Sequence, residues 1–493
     1  MDILLSAVLG ELTTRSINFF INKISKPTPL DVEDRLRRIL LRAQVIIDEA
    51  TGRHIRNQYM LLQLGMLRDT MYRGYYTLDT LRYQSHNNDR KDKFDIHYRC
   101  SSSLSKVNSL CLSSKDTEAL RQLQEALDDL SSMILDAEEL VLLLVTYPRL
   151  YQQPYSMHLQ LGNCMFGRQM EAEVVINFLL QTRTHGNEGL DVFPIVGLGQ
   201  VGKSTLVAHV CKDERVRGHF SEILFFRTHS FSDDELAVFR EGFAIKHQNR
   251  VSGSNKSGGL LVVAELVGDF NEDAWNKLYY ASKCYAPNGG KIIVTSRSNK
   301  IVKVGTTNGL TLKYLSREAY WYFFKTLTFG GMDPEMHPRH AHMAMEIAKI
   351  LNGSFIGANI TARLLRDNFD VHFWCKALAF LRGSFRKHIS RFGEHPIDLL
   401  YQDRPAHLGR MAAPSEDFVL YHQDQRFSEQ EVPEIRFQDV MYGCVKPQGR
   451  FEVLLWRSQI PPYYSYVFTC EIQELETTAA KRKRSVKHGV TAF

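Results

Sequence analysis

The clearest chemistry in the sequence lies in Gly197-Leu198-Gly199-Gln200-Val201-Gly202-Lys203-Ser204. This stretch fits GxxxxGK[ST], a pattern that a chain of this length meets by chance with odds of about 2%. Apolar Val192–Val196 before it predicts a strand, and Thr205–Val210 after it predicts the start of a helix. A strand–loop–helix order aims backbone N–H groups and the positive end of a helix at an anion. In that frame Lys203 reaches the β- and γ-phosphates of a nucleotide and the Ser204 hydroxyl ligates Mg²⁺.

Such a loop works with an acidic residue at the end of another strand. The candidate is Leu260-Leu261-Val262-Val263-Ala264-Glu265. Ala264 stands where the magnesium-binding aspartate is expected, and Glu265 is the acid beside it. Glu265 reads either as a catalytic carboxylate or as a solvated strand end. Nucleotide binding with very slow or absent hydrolysis is therefore expected, with Ala264→Asp raising magnesium affinity or turnover.

The elements that must position these residues form several domains, since 493 residues exceed one ordinary core. Residues 1–150 read as a helical bundle. Val32, Leu36, Ile39, Leu40, Ala43, Ile46 and Ile47 share one helical face, as do Leu64, Leu67, Met71, Tyr75 and Leu78. Leu120, Leu123, Leu127, Leu130 and Ile134 make a third stripe. The polar run Gln84–Lys91 reads as a long loop between helices, and Pro148–Pro154 as a linker. Residues 165–310 alternate short apolar runs (Val192–Val196, Ile223–Phe226, Leu260–Val263, Lys291–Thr295) with helical segments, the pattern of a parallel α/β sheet. Residues 311–388 return to helix. Residues 389–493 form a further region where Arg450–Trp456 and Tyr463–Ile472 alternate like strands, followed by a basic tail. The fold class is thus multidomain α and α/β.

These residues together resemble the nucleotide-binding module of plant intracellular immune receptors, the coiled-coil class of disease resistance proteins. Pro194 through Leu206 is similar to that family's phosphate loop almost residue for residue. The resemblance implies ADP or ATP with Mg²⁺ as cofactors, held by Gly197 through Ser204 and Thr205. Phe166-Gly167-Arg168 resembles the segment near the adenine, which makes Arg168 a nucleotide-binding candidate. Gly289 through Arg297 resembles the strand whose arginine senses the terminal phosphate, implying that role for Arg297. Leu315-Ser316-Arg317-Glu318-Ala319 with Phe323-Phe324 is similar to the start of the family's helical subdomain. Leu67-Arg68-Asp69 through Leu78-Asp79 looks like a weakened form of the acidic motif in the helical bundle. The departures are specific. The paired aspartates are Ala264-Glu265, Gly353-Ser354-Phe355-Ile356 lacks the proline expected near the adenine, and no Met-His-Asp signature or leucine-rich pattern is found. The chain looks like a truncated or diverged member.

The implied function is an adenine-nucleotide switch or adaptor in plant innate immunity. It would be at most a weak ATPase, partnering other immune receptors or signalling proteins through the N-terminal bundle, with self-association possible. The alternatives are an active P-loop ATPase and a scaffold with a vestigial nucleotide site. Ala264 argues against the first, and bound-nucleotide analysis decides on the second. Eight scattered cysteines without a CxxC pair fit a reducing compartment and no zinc ribbon. His337, His340 and His342 read as a solvated polar loop, so no metal cluster is expected. Lys481-Arg482-Lys483-Arg484 with Lys487 reads as a solvated tail or an import signal, so nucleic acid is not an expected partner. A net charge of +6 is mild, 44% hydrophobic residues suffice for cores, and no run of about 18 apolar residues predicts a membrane span. The expected location is cytoplasmic, and a nuclear or plasma-membrane-associated pool is compatible with it.

Overall fold

The computed structural model describes residues 29–95, 114–149, 165–181, 189–228, 259–266, 270–285, 290–401, 404–426, 431–443, 445–458 and 463–474. The start of the expected helical bundle (residues 1–28), most of the Pro148–Pro154 linker, the basic tail and Cys100, Cys111, Cys164 and Cys444 lie outside these residues. The described residues fall into two units, one of 1–326 with 333–342 and one of 327–332 with 343–493.

The first unit begins with three helices: α1 (Pro29–Thr51), α2 (Gln58–Asp95) and α3 (Ser114–Asp136), followed by the short α4 (Glu138–Leu144). Their apolar stripes face inward. Val32, Leu36, Leu40, Leu64, Leu67, Met71, Leu127 and Leu130 are all buried. Arg53 closes the α1–α2 turn onto the end of α4, donating to Tyr147 O at 2.7 Å while Nε binds Glu49 at 2.9 Å. The loop expected at Gln84–Lys91 is instead part of α2. Polarity alone does not end a helix, and no Gly or Pro occurs between Gly74 and Asp95 to break it.

The chain then passes through α5 (Gln169–Leu180), β1 (Asp191–Gly197), α6 (Lys203–Lys212), α7 (Glu214–His219) and β2 (Phe220–Thr228). β3 (Gly259–Leu266), α8 (Glu272–Tyr285), β4 (Gly290–Ser296) and β5 (Leu310–Leu312) complete a five-stranded sheet, and α9 (Arg317–Phe329) follows. All strand pairs are parallel, in the order β2-β3-β4-β1-β5. Both faces are covered. Phe193, Ile195, Leu261, Val263 and Ile293 pack with α5 and α6 on one side. Val192, Leu260, Val262, Ala264, Ile292 and Val294 pack with Trp275 and Leu278 of α8 on the other. Two-sided burial is why these strands read as nearly unbroken apolar runs.

The second unit contains most of α10 (Pro338–Leu351), then α11 (Phe355–Asp367), α12 (Val371–Phe392) and α13 (Pro396–Tyr401). Ser354 caps α11 by accepting from Gly357 N at 3.0 Å. The alternating C-terminal stretches form a four-stranded antiparallel sheet of β6 (Ala406–Gly409), β7 (Glu416–Arg426), β8 (Arg450–Arg457) and β9 (Ser465–Glu474). The order is β6-β7-β9-β8, over a core of Phe418, Val440, Val453, Phe468 and Cys470. Among the described residues no helix is long and apolar enough to cross a membrane.

Candidate functional site

In an open parallel sheet, ligands bind beyond the carboxyl ends of the strands, where the chain's direction of travel across the sheet reverses. Here that point is the end of β1. The chain leaves β1 for β2 at the far edge, and later leaves β4 for β5 on the other side of β1. Gly197–Gly202 turns there from β1 into α6. A Cβ on Gly197 would come within 2.5 Å of Leu312 O, so only glycine fits beside β5. Gly202 has φ of 94°, the left-handed conformation from which α6 departs.

Lys203 is buried at the first turn of α6, and its ammonium donates to Gly197 O at 2.7 Å and Leu198 O at 2.8 Å. Burial, with Arg297 next in effect, pushes its pKa down to about 8, against a smaller opposite pull from Glu265. The Ser204 hydroxyl donates to Glu265. Arg297 follows β4, which lies between β1 and β3. Its guanidinium carbon is 3.4 Å from where a Cβ on Gly199 would sit. The structure thus gathers Gly197 through Ser204, Glu265 and Arg297 at one end of the sheet. Val201 is buried under the loop, Leu198 is exposed at its tip and Thr205 is half-buried on α6.

Ala264 is not part of this cluster, which corrects the expectation that it stands in the metal position. Side chains alternate across a strand. Glu265 shares the α6 face with Leu261 and Val263, while Ala264 is fully buried on the opposite face with Val262, Val294 and Trp275. The acid at the loop is therefore Glu265.

Arg168 sits beside the residue that follows β5. Its guanidinium binds Glu171 at 3.2 Å and donates to Lys313 O, while its buried Nε has no hydrogen-bond partner among the described residues. The neighbouring Phe166 and Gly167 are held by the helical bundle. Arg68 donates to Gly167 O at 2.9 Å, and the Tyr72 ring lies 5.5 Å from Phe166 and 5.1 Å from Tyr322 on α9. Asp79 accepts from Trp321 Nε1 at 2.8 Å and from Lys325, both on α9. At the α1–α2 turn, His54 binds Glu173 of α5 at 3.1 Å, and Arg215 binds the same carboxylate at 2.6 Å. Most of these partners are about 100 to 250 residues apart in sequence, which is why sequence reading missed them. Tyr314 was missed too. Its hydroxyl donates to Gly199 O at 2.8 Å, and the only local signal was the three-residue β5 just before it.

His337, His340 and His342 do not form a polar loop. His340 and His342 lie on the first turns of α10, with His340 buried. No group of side chains among the described residues is suited to hold a metal through His, Cys, Asp and Glu ligands alone.

The chain matches no protein-family profile. Among individual proteins it is 27% identical over 222 residues to putative disease resistance protein RGA1 of Solanum bulbocastanum, covering 43% of this chain and 22% of the relative. It is 24% identical over 287 residues to putative disease resistance RPP13-like protein 1 of Arabidopsis thaliana, covering 52% and 26%. A putative late blight resistance protein homolog of Solanum demissum matches at 22% over 247 residues, covering 48% and 19%. The chain thus spans about a quarter or less of the length of these curated relatives. Repeated across three plant species and joined to the phosphate-loop sequence and its fold, these matches make the chain a relative of the plant disease resistance proteins.

Proposed function

We propose that the chain binds ADP or ATP with Mg²⁺ at the Gly197–Ser204 loop and acts as a nucleotide-dependent switch or adaptor in plant defence, in the cytosol. The observation that carries this reading is the preformed cradle around Lys203. Its ammonium is already held by two loop carbonyls, and Arg297 stands close enough to repel it. An anion between two like charges relieves that repulsion. Hard oxygen donors suit Mg²⁺, and the Ser204 hydroxyl with Glu265 behind it supplies them. When bound, the ion would neutralise charge on the β- and γ-phosphate oxygens. Arg168 would act from the adenine side, where its buried Nε lacks a hydrogen-bond partner among the described residues.

Slow hydrolysis follows from the same arrangement. Glu265 is engaged with the metal-binding serine, and position 264 offers only a methyl group turned into the opposite core. Turnover is expected far below the roughly 10 s⁻¹ typical of enzymes. A value near that median would favour an active ATPase instead.

The deciding experiment is to denature the purified protein, identify any nucleotide released, and titrate ADP by calorimetry. Lys203→Ala is expected to weaken ADP binding about 10- to 100-fold, the worth of a charge-assisted contact. Because binding needs the ammonium, affinity should be flat below pH 8 and fall by up to about tenfold per unit above it. The nucleotide-free protein is expected to show the opposite trend. The lysine's folded pKa lies below its ordinary value, so its contribution to stability should rise between about pH 8 and 10.5. Absence of any adenine nucleotide, with no ADP binding, would leave only a scaffold with a vestigial site.

The proposed partners are other receptors of this family, engaged through the N-terminal bundle, with self-association as the second outcome. The inner faces of α2 are taken up by Phe166, Gly167 and α9, so the surface offered is the outward one. It carries exposed Leu41 and Val45 on α1 and Tyr59, Leu62 and Met66 on α2. Co-immunoprecipitation from plant cells with Leu62→Arg/Met66→Glu is expected to lose the receptor. Undiminished capture would rule this surface out.

A further inference from the structure

The phosphate loop contains a side-chain-bearing residue in the left-handed backbone region, Gln200 with φ of 54°. L-residues rarely adopt that conformation, and when they do the surroundings must hold them there. The peptide just before Gln200 is gripped from outside the loop. Tyr314 lies two residues beyond β5, and its hydroxyl donates to the Gly199 carbonyl oxygen at 2.8 Å. A trans peptide points its C=O and N–H in opposite directions. The bond that draws Gly199 O toward Tyr314 therefore also sets the plane of the peptide that carries the Gln200 N–H. The carbonyls of Gly197 and Leu198 are taken by Lys203. Three consecutive carbonyl oxygens are thus held by two side chains, one inside the loop and one outside it.

We infer that Tyr314 is a positioning residue of the phosphate cradle, whose hydroxyl fixes the Gly199–Gln200 peptide so that the Gln200 N–H serves the nucleotide's phosphates. The inference rests on the nucleotide-binding reading of this site and adds a residue that the loop motif does not contain. Lys203 and the glycines supply charge and room, while Tyr314 supplies orientation. Because Tyr314 follows the edge strand, the geometry of the cradle depends on where β5 seats beside β1, through the pairing of Gly197 with Leu312.

Tyr314→Phe keeps the ring and removes only the hydroxyl. Calorimetry on the full chain is expected to show ADP binding weakened about fivefold, the equivalent of one net hydrogen bond. The melting temperature of the nucleotide-free protein should stay unchanged, which separates positioning from a structural role. Adding Gln200→Gly to the Tyr314→Phe variant removes the backbone penalty at position 200. It should bring ADP affinity back to within about twofold of wild type, since glycine adopts positive φ freely. Equal ADP affinity for wild type and Tyr314→Phe overturns the inference alone. So does a Gln200→Gly/Tyr314→Phe protein that binds no better than Tyr314→Phe. A wild-type chain that binds no ADP overturns the nucleotide reading itself, and this inference falls with it.

Discussion

Ala264→Asp is expected to destabilise the protein by about 3 kcal/mol or more and to add no magnesium affinity, because it places a carboxyl group without a partner in a closed apolar core. The alanine faces neither solvent nor the loop. It is buried between β3 and α8, with Val262, Val294, Ile292, Trp275 and Leu278 as its surroundings. Strand pairing leaves no slack, since Ala264 sits opposite Val294 on β4 and Phe226 on β2. Turning the new side chain toward Ser204 would need a one-residue slip, which would carry every β3 side chain to the wrong face. Glu265→Gln is the informative counterpart. It leaves both cores untouched and should lower the dependence of nucleotide binding on Mg²⁺ while the melting temperature hardly moves. An Ala264→Asp protein that melts with wild type and binds Mg²⁺ more tightly would mean that the faces of β3 are assigned the wrong way round.

That prediction reverses the one drawn from the sequence, and the reason is physical. Aligning Ala264-Glu265 with a pair of aspartates identifies the strand and its end correctly, and an acid does reach Ser204. What a linear pattern cannot give is which of two adjacent positions faces α6, because that depends on which helices cover which side of the sheet. The strands themselves were legible because burial on both faces makes their apolar runs continuous, as at Val192–Val196 and Lys291–Thr295. β5 escaped because three residues carry no periodicity. The polar end of α2 has the composition of a loop, but no glycine or proline interrupts the helix there. The turn at Gly197–Ser204 was legible for the opposite reason. Its chemistry is local, with Lys203 only six residues from Gly197, whose carbonyl it binds. The attachment of the bundle was not legible, because Arg68 and Gly167 are 99 residues apart and Asp79 and Lys325 are 246 apart.

That attachment yields the other large effect. Asp79→Ala is expected to cost about 3–5 kcal/mol, the usual penalty for removing one partner of a buried ion pair. Asp79 is 7% exposed on α2, and its carboxylate accepts from both Trp321 Nε1 and the Lys325 ammonium. Without it, the ammonium keeps, among the described residues, the faces of Tyr75, Trp321 and Tyr322, 5.6–5.9 Å from their centroids. Cation–π attraction of that kind contributes on the order of 1–2 kcal/mol, too little to replace the charge. The loss should appear first as loosening of the bundle. Hydrogen exchange in α1–α3 is expected to rise while β1, β3 and β4 stay protected, because the sheet keeps its own two cores. The apolar double replacement Asp79→Leu/Lys325→Met separates charge from packing. It should recover all but about 1–3 kcal/mol, the remainder being the unmet Trp321 N–H. If Asp79→Ala instead exchanges and melts like wild type, the α2–α9 bond does not hold the bundle. The docking would then rest on Arg68 and on the aromatic contacts of Tyr72 with Phe166 and Tyr322.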